Sequence, residues 1–369
     1  MNLSDYILNF LKKKKVNNIF TITGGAICFL MDAFSRNNKI NYTSVAHEQA
    51  AAMMADSYSR FGPNFSATMV TSGPGATNLL TGIACSWFDS IPSLHICGQV
   101  NRYELNNYLK STKKVRQVGF QETDIVSMAK PITKFAYQLK NENEIKYVLE
   151  KAYYISQSGR PGPVLIDIPM DLQRKIINPK KLKSFQPNKF KIKKQKLLKK
   201  IIKIINFLKK SNRPVIILGG GIRISGSMKY LSVFLKKFNI PIVTTWSGVD
   251  SISHDKKNYI GNIGVYGSRA ANFVIQNSDF VLSLGSRLDT RITGGVPKNF
   301  AREAIIAAVD IDKEELNKDR GLKIQIKVNE SLVNFFDNFN KKAKRLKVTK
   351  PEWLEKSILW KKKYTIVLK

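Results

Sequence analysis

Short apolar runs recur along this chain, each followed by a stretch of good helix formers, and that alternation points to parallel, doubly wound sheets of the α/β class. IFTIT (19–23) precedes Gly24-Gly25 and a helical stretch to about Phe34. NYTSVA (41–46) runs into AHEQAAAMMADSYSRFG, whose Ala, Met, Glu and Gln favour helix and whose Gly62 can end it. FSATMVT (65–71) passes through SGPGATN into another helix, and PSLHICG (92–98) is a fourth strand. SGRPGPVLIDIPMDLQ (158–173) holds a fully apolar one. At the amino terminus Ser4 is the expected cap of a helix with Tyr6, Ile7, Phe10 and Leu11 on one face.

Residues 174–194 are rich in Lys, Pro, Asn and Gln with weak periodicity, as an interdomain linker would be. From Gln195 to Lys210, Leu197, Leu198, Ile201, Ile202, Ile205 and Leu208 form an apolar stripe among lysines, which predicts an amphipathic helix packed on a sheet. PVIILGGG (214–221), IPIVTTW (240–246), FVLSLGSR (280–287) and AIIAAVDID (304–312) then read as strands of a second α/β domain. The expected organisation is a first domain over 1–173, a linker over 174–194, a second domain over 195–345 and an arm over 346–369. A length of 369 residues agrees with two domains and a partial third, at about 150 residues per domain.

Charge and cysteine usage narrow the partners. The net charge is +34, from 61 Lys and Arg against 27 Asp and Glu, and such an excess raises nucleic-acid binding. The lysines are spread over the chain, thickest at 179–210 and 341–363, with no zinc-finger spacing or RNA-recognition motif. No specific nucleic-acid partner is expected, and the excess reads as lysine on solvated helix faces. No apolar run approaches the roughly 20 residues that span a bilayer, so no membrane partner is expected either. Asp5, ahead of the apolar residues, argues against a signal peptide. Cys28, Cys85 and Cys97 have no metal-ligand spacing and fit a reducing, cytoplasmic setting.

Chemistry gathers where strands end. Glu48 stands between a strand and an alanine-rich helix, at the carboxyl end of a strand, where ligands of open α/β sheets bind. There it can share a proton with a bound heterocycle, or simply complement the helix dipole from the first turn. SGPGATN (72–78) can turn backbone N–H groups toward an anion, and it lacks the Gly-Lys-Ser/Thr of a Walker loop. LGGGIRISG (218–226) also follows a strand, without the dinucleotide fingerprint spacing. A tight turn explains either one alone.

In order and together, the pieces are far more specific. TGGAICFLMDAF, AHEQAAAMMADSYSR, TSGPGATNLLTGIA, SIPSLHICGQV, VGFQETDIVSMAKPITK and GRPGPVLIDIPMD resemble the pyrimidine-binding domain of the acetolactate synthase family of thiamine-diphosphate enzymes. LGGGI, TTWSG, GNIGVYG, LGSRLDTRITGG and VDIDKEEL are similar to that family's central domain, so the resemblance covers about residues 1–345. It implies that Glu48 hydrogen-bonds the cofactor's aminopyrimidine and favours the imino tautomer, which activates the thiazolium carbon toward a 2-keto acid. It places Gly25, Thr71, Gly73, Asn78 and Gln99 on the thiamine diphosphate side, and Phe120, Gln121 and Lys134 at the substrate entrance. Gln121 and Lys134 join Glu48 in the catalytic roles it implies. Lys134 has the charge to attract a carboxylate, and it reads equally as a solvent lysine after a strand.

In the second domain Gly219, Gly220, Thr245, Gly264, Val265, Gly285, Arg287, Asp289, Arg291, Asp310 and Ile311 match positions that contact FAD in the family. Arg287 and Arg291 can pair with diphosphate oxygens, and Asp310 can accept from a ribose hydroxyl. Trp246 and Tyr266 depart from the family residues, and GQVN (98–101) replaces the family's GQVP. These departures leave flavin and substrate identity open.

The family's third domain carries Gly-Asp-Gly and a later Asn pair, which hold the Mg2+ that bridges the cofactor's diphosphate. No Gly-Asp-Gly occurs here, and the Asn pairs at 17–18, 37–38 and 106–107 lie in the wrong domain. The chain is therefore expected to carry half a site and to be inactive alone, as a split subunit, an interrupted gene product or a fragment. Expected partners are a second copy, as homodimer or homotetramer, a separate chain with the diphosphate-binding domain, and a 2-keto acid. The reaction implied first is pyruvate to 2-acetolactate, in branched-chain amino-acid biosynthesis. The alternatives are a related decarboxylase or carboligase, as in surface-sugar synthesis, and a non-catalytic nucleotide-binding remnant.

Overall fold

The computed structural model describes residues 1–37, 40–61, 65–109, 115–187 and 194–365. It divides into two compact units, Met1–Lys189 and Phe190–Lys369, each built on a six-stranded sheet. In the first unit the strands are β1 (Asn18–Thr21), β2 (Asn41–Ser44), β3 (Ser66–Val70), β4 (Ser93–Gln99), β5 (Phe135–Gln138) and β6 (Val164–Pro169). Their spatial order is β2-β1-β3-β4-β6-β5 and every neighbouring pair is parallel. The inner strands β3, β4 and β6 are buried along their whole length, because helices cover both faces. Successive side chains feed opposite cores. Ala67, Met69, Leu94, Ile96 and Ile166 enter one, and Val70, Cys97 and Leu165 the other.

The first helix spans Leu3–Lys13, but its cap is Asn2, whose side chain accepts from Asp5 N at 2.7 Å. Ser4 is buried within the first turn and donates to the Gln173 carbonyl at 2.9 Å. Asn2 pairs antiparallel with Ile176, and Leu3 N donates to Lys175 O. The amino terminus is thus zipped to residues 173–177. Residues 174–187, which read as linker from composition, dock on this unit: Ile177 and Leu182 join its core and Phe185 packs on Tyr147 and Tyr154. The helix after β2 ends at Arg60; Gly62, expected to terminate it, lies outside the described residues.

The second unit holds β7 (Pro214–Leu218), β8 (Phe238–Asn239), β9 (Ile242–Thr244), β10 (Tyr259–Asn262), β11 (Phe280–Leu284), β12 (Ile305–Asp310), β13 (Ile326–Asn329) and β14 (Val348–Thr349). The main sheet runs β10-β9-β7-β11-β12-β13, and β8 pairs separately with β14. Sequence reading finds the inner strands and the edge strand β2, and misses β5, β10 and β13 and the two-residue β8 and β14. The first three are edge strands of the main sheets. FAYQ, YIGN and IKVN are short and half polar, because an edge strand meets water along one side.

The helix Lys194–Lys210 buries Leu197, Ile201, Ile204 and Leu208, while Ile202 is 40% exposed. Its inward face is therefore rotated slightly from the predicted stripe. The expected arm instead returns to the unit as a helix, Pro351–Lys363. Trp353 is buried there with Nε1 donating to Pro214 O at 3.1 Å, and Lys361 Nζ donates to Tyr259 O at 2.6 Å. No helix among the described residues is long and apolar enough to cross a membrane. Trp353→Ala is expected to cost the second unit about 3–5 kcal/mol, read as a lower urea midpoint. A loss below about 1 kcal/mol, the size of a surface change, would mean the helix is not part of this core.

Candidate active site

β1 and β3 end side by side, Thr21 opposite Met69, and the loops that follow them frame a recess at the carboxyl edge of the first sheet. Thr71 is clasped there by two glycines. A Cβ on Gly24 would come within 2.4 Å of Thr71 Cβ, and one on Gly75 within 2.8 Å of its Cγ2. Thr71 Oγ1 accepts from Ala26 N at 3.1 Å, which locks the loop after β1 to the loop after β3.

Glu48 enters from the next strand. It is the first residue of the Glu48–Arg60 helix, with His47 as its cap. Asn78 Nδ2 donates to Glu48 Oε2 at 2.9 Å, and Oε1 lies 3.3 Å from where a Gly75 Cβ would stand. The Oε1 atom makes no hydrogen bond among the described residues. A Cβ on Gly25 would meet nothing within 4 Å, so the recess is open on that side. Gly73 adopts φ +63, and a Cβ on it would fall 2.6 Å from Gln121 Cβ, which brings Gln121 against the same turn. Gln121 itself has φ +61, and the neighbouring Phe120 is 83% exposed. Gly25, Glu48, Thr71, Gly73, Asn78, Phe120 and Gln121 therefore gather at one edge.

Two expected residues sit elsewhere. Gln99 ends β4 at the right edge, yet it is buried and turned inward. Its Nε2 donates to Thr123 O at 2.9 Å and to Asp167 Oδ2 at 3.0 Å. Lys134 precedes β5, whose Phe135 pairs with Val164 at the start of β6, so it lies at the amino edge of the sheet. A strand rises about 3.3 Å per residue, and the whole of β6 separates Lys134 from the recess. Its ammonium caps a helix end, donating to Ile155 O and Ser158 O at 2.5 Å. Burial lowers its pKa to about 8. The substrate-entrance role expected of Lys134 does not fit this placement.

Asn101, the departure in GQVN, has a local cause: its N–H donates to Glu104 Oε2 at 2.9 Å. A proline there would lack that donor. Sequence reading also passed over Asp167. It sits fully buried in the middle of β6, and Gln99 and Gln138 both aim amide donors at its Oδ2, at 3.0 and 2.8 Å. Its signal was there, a lone acid inside the apolar run VLIDIP.

In the second unit the expected residues also share one carboxyl edge. Gly219 and Gly220 follow β7, Thr245 follows β9, Gly264 and Val265 follow β10, and Gly285, Arg287, Asp289 and Arg291 follow β11. Asp310 ends β12 and Ile311 follows it, half exposed. Their side chains have internal work. Arg287 Nε donates to Glu315 at 2.9 Å, Asp289 caps the turn at Arg291 N, and Asp310 accepts from Asp312 N at 2.9 Å. Arg291 donates to Tyr266 OH at 2.8 Å, and Tyr266 stacks on Trp246 with ring centroids 5.8 Å apart. Gly219 is needed for close packing, since a Cβ would lie 2.2 Å from Gly285 O.

Two parallel-sheet units, the first presenting a carboxylate beside glycine turns, match known domains in the same order. Residues 1–128 match the N-terminal TPP binding domain of the thiamine pyrophosphate enzymes, and residues 201–334 match their central domain. The chain belongs to the thiamine pyrophosphate enzyme family. Within it, the chain is 35% identical over 315 residues to the acetolactate synthase large subunit of Lactococcus lactis, covering 85% of this chain and 53% of the relative. It is 36% identical over 332 residues to a probable acetolactate synthase large subunit of Methanococcus aeolicus, covering 88% and 53%. To the chloroplastic acetolactate synthase 2 of Nicotiana tabacum it is 31% identical over 373 residues, covering 99% and 54%. The chain spans about half the length of the curated relatives it matches.

Burial pushes the Asp167 carboxyl up from 3.8 to about 7; the Gln138 and Gln99 amides oppose the rise and Asp124 adds to it. A carboxyl with a raised folded-state value holds its proton more tightly folded than unfolded. The stability it contributes is full below the unfolded value and is lost as pH climbs to and through about 7. Asp167→Asn removes that titration. Relative to the parent, the variant is expected to gain on the order of 4 kcal/mol between acid and mildly basic pH. Urea unfolding across that range measures it, and parallel curves for the two proteins would refute the assignment.

Proposed function

We propose that this chain supplies the activating carboxylate of an acetolactate-synthase-type enzyme acting on 2-keto acids, with pyruvate to 2-acetolactate as its reaction. The observation that carries the reading is Glu48, with Oε2 fixed by Asn78 and Oε1 beside the Gly75 turn, without a hydrogen bond among the described residues. The donor set fits a pyrimidine: one carboxylate oxygen is left for a ring nitrogen, and Gly25 leaves room for the ring. Thiamine diphosphate, when bound, supplies the nucleophilic carbon that adds to a keto carbonyl.

The residues of this chain have three tasks in this reading. Glu48 holds the pyrimidine nitrogen and exchanges a proton with it at Oε1. The Thr71 clasp keeps the two loops in register so that the carboxylate does not drift. Phe120 and Gln121 wall the entrance and limit water. Gln99 acts behind this wall. Lys134 has no part.

Mg2+ and the cofactor's diphosphate belong, in this reading, to a diphosphate-binding domain supplied by a partner chain or a longer form of the protein. The working assembly is then a homodimer or homotetramer in the cytoplasm. For the second unit we propose a nucleotide at the Gly219–Gly285 edge, FAD first. Support comes from the convergence of all the expected residues at that edge. Arg287 and Arg291 would have to exchange Glu315 and Tyr266 for diphosphate oxygens.

Two experiments test this. Purified chain, alone and with a separately expressed diphosphate-binding domain, is given pyruvate, thiamine diphosphate, Mg2+ and FAD. Acetolactate is expected in the mixture with the added domain, and Glu48→Gln is expected to lower its rate at least about 100-fold. No acetolactate or carbon dioxide in either mixture, or an undiminished rate for the variant, overturns the carboligase reading. For the nucleotide, FAD is expected to quench the fluorescence of the exposed Trp246, and a Trp246→Phe chain should lose that response. Unchanged fluorescence together with no flavin retained on gel filtration counts against FAD.

A further inference from the structure

Gln99, Asp167 and the loop before Ile125 are linked by hydrogen bonds, and the proposed chemistry gives Asp167 no task. The loop Gly119–Thr123 carries Phe120 and Gln121; Gly119 N donates to Glu104 O at 2.8 Å, and side-chain hydrogen bonds hold the loop on two further sides. On its outer side the Glu122 carboxylate accepts from Asn106 N at 2.6 Å, from Asn106 Nδ2 at 3.0 Å and from Val118 N at 2.9 Å. On its inner side, among the described residues, the tether from the sheet is Gln99 Nε2, which reaches Thr123 O at 2.9 Å. That same nitrogen donates to Asp167 Oδ2 at 3.0 Å, and Gln99 Oε1 accepts from Val100 N at 3.1 Å.

An amide so placed has no freedom to flip, because turning it over would set its oxygen against the Asp167 carboxylate and the Thr123 carbonyl. We propose that Asp167 is a positioning residue of the Glu48 site: its carboxylate orients the Gln99 amide, and that amide holds Thr123 and so the Phe120–Gln121 loop against the Gly73 turn. The proposal rests on the reading of Phe120 and Gln121 as the substrate entrance.

The surroundings of Asp167 make the hold dependent on its charge. Gln138 on β5 donates to Oδ2 at 2.8 Å, while Oδ1 is buried without a hydrogen-bond partner. The titratable groups that act with it are the Cys97 thiol on β4 and the Asp124 carboxyl at the end of the loop. Among the described residues no Lys or Arg pairs with it. Ionised, Oδ2 accepts two charge-assisted hydrogen bonds. A proton taken up on Oδ1 leaves Oδ2 a neutral acceptor, roughly half as strong, and the hold on Gln99 slackens.

Hydrogen exchange on the full chain without cofactor tests this. Protection factors for residues 119–125, corrected for the intrinsic pH dependence of exchange, are measured from about pH 5.5 to about pH 8.5. Protection is expected to rise about fivefold, the worth of one hydrogen bond, through a single-proton step near 7. Asp167→Asn is expected to keep the fold and flatten the profile. Gln99→Leu should flatten the profile and leave protection about fivefold below the parent's high-pH value, while Gln138→Leu leaves the loop protected. A flat profile in the parent chain, a step that survives in Asp167→Asn, or equal loosening by Gln138→Leu each overturns the proposal. Should Gln99→Leu not fold, the parent and Asp167→Asn profiles still decide it. Because no cofactor is present, failure here leaves the Glu48 reading standing, and an inactive reconstituted mixture leaves this result standing.

Discussion

Every strand pair in the two main sheets runs in the same direction, and that one constraint distributes everything else. A parallel strand cannot return by a hairpin, so each connection crosses over as a helix and both faces of the sheet are covered. The inner strands must then be buried throughout, as SATMV, VLIDIP, PVIIL and FVLSL are, and polar residues among them need partners inside. The loops fall into two sets, one at each edge. Those at the carboxyl edge hold Gly25, Glu48, Thr71, Gly73 and Gln121. Those at the amino edge hold Lys134, which is why a residue close to Gln121 in sequence ends up a sheet's depth away from it.

The same constraint explains what the sequence makes legible. Apolar runs reveal inner strands, because burial on both faces leaves no room for polar alternation. Edge strands such as FAYQ escape notice for the converse reason. The order of the glycine turns around AHEQ carries the site, since close backbone approach demands glycine whatever the surrounding side chains are. Side-chain direction is the part that residue type does not encode. Gln99 faces inward because Asp167 waits there, and Asp167 is a partner from β6, nearly seventy residues on. Ser4 looks like a cap by type, but Asn2 takes that place because the chain bends to pair with Ile176.

The two units treat their functional edges differently. In the first, the key carboxylate keeps one oxygen uncommitted. In the second, three cations are already engaged: Arg287 with Glu315, Lys318 with Glu315 and the Arg287 carbonyl, and Arg291 with Tyr266. A ligand at the second edge must compete with these contacts, whereas one at the first edge meets a carboxylate oxygen with no hydrogen bond among the described residues. Trp246 and Tyr266, stacked and exposed beside Arg291, give the second edge an aromatic character that its backbone turns alone would not supply.

The amino-terminal zipper bears on modularity. Met1 through Ser4 lie along residues 173–177, so the place where the chain enters the first fold adjoins the place where its last sheet strand leaves. A body pinned in this way, with residues 178–187 still docked on it, can be moved whole within a longer polypeptide when the junction falls beyond residue 187. A tag fused directly at Met1 would press on that seam, whereas one spaced by a flexible linker would leave it closed.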